Sequence, residues 1–166
     1  MKAEDIILPG IAGTTFMTIF SQVVDEIEDE NFSEPDLLAK LYHRLQPAKS
    51  NSTAKIAGWV SHYAVGGLFA GIYNVLWSNN LVKASGKNGV WLGAVSGALA
   101  IAVWKATFKM HPVPPGIDFK KYYTQLFFAH IVFALFATAA YQQLKKQRVK
   151  NQRQQDDQKY LSSVNP

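Results

Sequence analysis

The sequence predicts an all-α, membrane-embedded four-helix bundle with a short interfacial helix and a basic C-terminal tail. Residues 6–24, 56–82, 88–104 and 122–144 contain no Asp, Glu, Lys or Arg. Each is near the ~20 residues with which a helix, rising ~1.5 Å per residue, crosses ~30 Å of hydrocarbon. Charged residues are only 17% of the chain, below the about 25% of a typical soluble domain. They gather in the connectors and the tail, the segregation that alternating oil and water imposes. Aromatic residues flank the apolar runs, where the amphipathic rings of Trp and Tyr favour the headgroup level.

The first span, about residues 6–25, holds Pro9, Gly10 and Gly13 and is polar for its kind. Lys2 is offset by Glu4 and Asp5, so the positive start of a signal peptide is missing and a retained helix is expected. In the connector, Ser33-Glu34-Pro35-Asp36 reads as a helix start, with Ser33 as N-cap, Pro35 in the first turn and Asp36 as an approximate capping-box partner. Leu37, Leu38, Leu41, Tyr42 and Leu45 follow at helical spacing, which suits a helix lying on the membrane surface or one packed on the bundle.

The second span, about 56–78, is bracketed by Trp59 and Trp77, and a polar turn over 78–87 leads to the third, about 88–108, bracketed by Trp91 and Trp104. Lys105 and Lys109 can snorkel from its end. Pro112, Pro114, Pro115 and Gly116 exclude a continuous helix before the fourth span, about 122–144, flanked by Tyr122, Tyr123 and Tyr141. Residues 1–144 thus form the transmembrane domain. The polar tail, 145–166, is expected to extend the last helix for a few turns.

An even number of spans puts both termini on one side. Nine of the 17 Lys and Arg residues fall on that side, six of them in the tail close to the last span, so the termini are expected in the cytoplasm. Gly67 and Gly71, and Gly93 and Gly97, form GxxxG pairs that favour close helix approach, within the bundle or in a homodimer. Other membrane subunits are the alternative partners.

Charge and composition exclude several functions. Without cysteine there is no disulfide, thiolate metal site or cysteine nucleophile. The net charge of +5 is accounted for by membrane flanks and tail, and no basic-aromatic platform suggests nucleic acid. Nucleotide-binding loops, a serine elbow and the H-E-x-x-H motif are all missing. No catalytic residue is expected, and the cofactor, if any, is left open.

Polar residues within the spans carry the functional expectation. Thr14, Thr18, Ser21, Gln22 and Asp25 fall along one face of the first helix. His62 and His130 lie in two spans that run the same way, at depths that differ by only ~3 Å at 1.5 Å per residue. His62, His130 and Asp25 admit three readings: a hydrogen-bonded cluster that fixes register, a proton or ion relay, or a haem or metal site with the paired histidines as cofactor ligands. His43 and His111 are expected at the surface, near enough the same mouth to serve as a third ligand.

Residues 10–21, GIAGTTFMTIFS, resemble the first helix of small four-span membrane proteins of Bacteroidota-like bacteria, which carry a G-x-x-(A/G)-T-x-x-M-T-like segment. Residues 34–41, EPDLLAKL, are similar to the surface segment of such proteins. The resemblance implies a multi-pass protein of the bacterial inner membrane and no particular activity. A non-enzymatic accessory or structural membrane component is the expected function, with an intramembrane metal-, haem- or ion-handling protein as the alternative.

Overall fold

A computed structural model describes residues 2–164, with side chains as far as Tyr160; Met1 and the last two residues of the tail lie outside the described residues. Five helices and no strand are found among them: α1 (Glu4–Glu28), α2 (Glu34–Leu45), α3 (Asn51–Ser78), α4 (Gly86–Met110) and α5 (Phe119–Val164). The starts of α3, α4 and α5 are fixed by short polar side chains. Ser50 accepts from the Thr53 amide at 3.2 Å, Ser85 from that of Asn88 at 3.4 Å, and Asp118 from those of Lys120 and Lys121. At α2 the chain turns where Ser33-Glu34-Pro35 predicts, but the Ser33 hydroxyl makes no capping bond, so the expected capping box does not form. The Asp25 carboxylate instead accepts the Phe32 amide at 2.9 Å, bracing the turn after Asp29, whose φ of 51° reverses the chain.

Helix α5 is the axis. It packs along α1 on one side and α4 on the other, while α3 packs on α1 and carries α2. The four long helices therefore form a curved row, α3–α1–α5–α4. The contacts are close because glycine lines them. A Cβ on Gly93 would lie 2.5 Å from the Ile131 Cα, and one on Gly97 3.0 Å from the Phe127 carbonyl. On α3 the inward stripe Ala54, Gly58, His62, Gly66, Ala70 repeats every four residues. Gly58 lies against the Pro35 carbonyl, which presses α2 onto the bundle rather than leaving it on the surface. Phe32 and Leu37 are fully buried there, and His111 and Arg44 pin the α4–α5 loop to α2 through the Leu41 and Val113 carbonyls.

The outside is as apolar as the inside. Ile7, Ile11, Ile19, Val60, Leu68, Ile72, Val95, Leu99 and Phe128 are exposed, whereas Thr14, Thr18, Ser21, Asn74, Ser96, Gln125 and Thr138 are buried. An apolar surface of this extent suits lipid and not water. Among the described residues, three helices (α1, α4 and α5) are long and apolar enough to cross a membrane, not the four that the uncharged runs predict. Helix α3 falls short because Ser61, His62, Tyr63, Gly66, Gly67, Tyr73 and Asn74 dilute its apolar residues. The aromatic belt is also narrower than expected. Trp91 and Trp59 face outward, but Trp77, Tyr122 and Tyr141 are in the core, with Trp77 against Tyr141 and Tyr122 against Phe32.

Past the bundle, α5 continues as an exposed helix well beyond the few turns expected of the tail. Its first turn there is tied back. Arg148 reaches the Asp5 carboxylate at 2.7 Å and that of Glu4 at 3.1 Å, holding the tail beside the start of α1.

Candidate functional site: a cleft between α3 and α4

Helices α3 and α4 are tied where the Tyr73 hydroxyl is 2.7 Å from that of Ser96 and 3.3 Å from the Leu92 carbonyl. Towards the opposite end they part, and a cavity of 340 Å³ fills the space. Its back wall is Thr14 and Met17 from α1 with Leu126, His130 and Phe133 from α5; Glu34 and Leu38 of α2 bound it as well. Val65, Leu68 and Ile72 on α3 and Leu99 and Val103 on α4 line it and are also exposed on the outer surface, so the cavity opens sideways, between helices. Its volume is at the lower end of the ~300–1,000 Å³ of small-molecule sites, and its make-up, apolar walls with a few convergent polar groups, is theirs too.

His62 and His130, expected at one depth, line this one cavity. Both are buried and both rings are held. Thr18 gives its hydroxyl hydrogen to the Thr14 carbonyl at 2.8 Å, so its contact with His62 Nε2 at 3.0 Å is one in which the ring nitrogen donates. His130 Nδ1 lies 2.9 Å from the Leu126 carbonyl, which can only accept, and therefore donates as well. Among the described residues no hydrogen bond reaches the other ring nitrogens, Nδ1 of His62 and Nε2 of His130. The ring of Phe69 stands edge-on to His130 with centroids 5.6 Å apart.

Asp25 does not join them. It is spent on the Phe32 amide at the α1–α2 turn, and among the described residues no group of three or more His, Asp or Glu could hold a metal ion. The trio His62, His130 and Asp25 is therefore not assembled as a ligand set. Gln22 points outward, His43 lies in a surface depression with Asp36 and Lys40, and His111 is engaged by the Leu41 carbonyl. None of the three lines the cleft.

The carboxylate in the cleft is Glu34, which the sequence presents only as part of a helix start. It is 2% exposed. Ser21 donates to its Oε1 at 3.5 Å and Gln125 donates in turn to Ser21, while Glu34 Oε2, Gln125 Oε1 and the Tyr122 hydroxyl have no partner among the described residues. Burial pushes the Glu34 carboxyl up to about 7, aided by the nearby charge of Asp25 and opposed by the Ser21 bond. The group is thus poised to take or give a proton near neutrality. A signal was present in the sequence: Gln125 lies on the face of α5 that Tyr122, Leu126 and Ala129 bury, and an amide within a charge-free run calls for a polar neighbour.

No protein-family model matches the chain, and no curated protein or solved structure resembles it closely enough to count as a match.

Proposed function

We propose that this chain is a non-enzymatic, four-span protein of the cell membrane that holds a lipid-soluble small molecule in the cleft between α3 and α4. The observation that carries the reading is the sideways opening of the cavity, with exposed Leu68, Ile72, Leu99 and Val103 at its rim and the polar side chains of Glu34, His62 and His130 within. A ligand with an apolar body enters from the acyl chains and sets its polar end against those groups. Helix α3 counts as the fourth span because its outward residues Ile56, Val60, Val65, Leu68, Ile72 and Val75 are all exposed and apolar, while His62, Tyr73 and Asn74 turn inward. An even span number keeps the basic tail beside the N-terminus, and the Lys and Arg residues of that tail support our reading of both ends as cytoplasmic, in a bacterial inner membrane.

The test is photolabelling in lipid nanodiscs with a single-chain fatty alcohol that carries a diazirine. Label is expected on Val65, Phe69, Leu99 and Val103, displaced by unlabelled 1-dodecanol. It should be reduced at least several-fold in Ala100→Phe, which fills the cavity, and in Leu99→Trp, which narrows the exposed rim. Even labelling of all outward faces, undiminished in both variants, would overturn the reading.

A further inference from the structure

We propose that the cleft prefers ligands with a cationic head, and that Glu34 gives up its proton when such a head binds. The inference rests on the ligand-holding role proposed above and adds the chemical class.

Three observations lead to it. Among the described residues no Lys or Arg lines the cavity, and Glu34 is the one lining residue with a carboxylate. Its Oε2 is buried and has no hydrogen-bond partner among the described residues, so a charge formed there meets the Ser21 hydroxyl on the other oxygen but no cationic side chain. The walls offer the rings of Phe69, Trp104 and Phe133, which attract a quaternary ammonium through their faces without hydrogen bonds. An anionic head would meet the acid and gain nothing. A neutral head would take a single hydrogen bond and leave the carboxyl protonated.

The exchange balances in charge. The Oε2–H bond of Glu34 breaks, the proton passes to water or buffer, and the cation takes its place beside the carboxylate. The titratable groups around Glu34 are Asp25 from α1, His62 from α3, and Tyr122 and His130 from α5. Asp25 raises the local demand for positive charge. Proton and ligand thus compete for one site, with Ser21 and Gln125 left in their hydrogen bonds throughout.

The experiment compares three competitors of equal chain length against the same photolabel: dodecyltrimethylammonium, 1-dodecanol and dodecyl sulfate. Above pH 7 the ammonium should displace the label best. Its apparent Kd should weaken about tenfold for each unit below that pH, as expected for one competing proton, while that of dodecanol stays level. In weakly buffered solution, binding should release about half a proton per protein at pH 7 and approach one proton at about pH 6. Glu34→Gln should remove the preference, the pH slope and the proton release but keep dodecanol binding, which also certifies its fold. If dodecanol binds and the ammonium gains nothing over it, or gains as much in Glu34→Gln, the cation preference falls and the ligand-holding role stands. If none of the three displaces the label, both fall.

Discussion

The Glu34 carboxyl accepts a hydrogen bond from Ser21 and has almost no exposure, so holding it ionised costs more in the fold than in the open chain. Its folded value of about 7 stands above the ordinary 4.5. The folded state therefore keeps the proton more tightly. Below pH 4.5 both states are protonated and no penalty exists; the penalty grows as pH rises and is complete above 7. At about 1.4 kcal/mol per unit, it reaches roughly 3 kcal/mol. Unfolding of the purified protein should thus be harder at pH 5 than at pH 8, and Glu34→Gln should flatten this dependence. An unchanged pH profile in that variant would assign the effect elsewhere. At this scale the sequence was partly legible. That His62 and His130 line one cavity is in keeping with their depth, because helical rise is nearly invariant. Glu34 was hidden, since its neighbours Glu30, Asp36 and Lys40 make it look like one more solvated charge until α2 is seen pressed against Gly58.

Helix boundaries were the most readable elements, because charge-free length and capping residues are local properties. How each helix faces its neighbours is not local, and the glycine pairs divide on that point. Gly93 is filled by the backbone of Ile131 and His130, whereas a Cβ on Gly67 would meet nothing within 4 Å. Gly93→Ala should accordingly push α4 from α5 and cost about 1–3 kcal/mol as an overpacked contact, read as a fall in the detergent or thermal midpoint. Gly67→Ala should be neutral or slightly stabilising in the same assay, since it gains helix propensity in open space. A homodimer can no longer draw on Gly93 and Gly97, which α5 already covers. Loss of dimer in Gly67→Ala, seen by light scattering of the solubilised protein, would give Gly67 that role.

For the whole molecule, the decisive quantity is the parity of the spans. Three helices satisfy length and composition, and α3 is long enough but diluted by inward polar groups. With four spans, single cysteines at Lys2, Asn79 and Lys150 should react from one side of the membrane, and those at Lys49 and Gly116 from the other. The chain has no native cysteine to confuse the pattern. If Lys2 and Lys150 react from opposite sides, α3 does not cross. The row α3–α1–α5–α4 also has a mechanical consequence. Because its two end helices part along the cleft, the fold is a clasp with an unfastened seam, and in the proposed membrane setting the lateral pressure of the bilayer would bear on that seam. Lipids whose chains crowd most tightly at that depth should squeeze it shut, and loosely ordered ones should let it gape. On the proposed reading, the membrane would set the aperture as well as surround it.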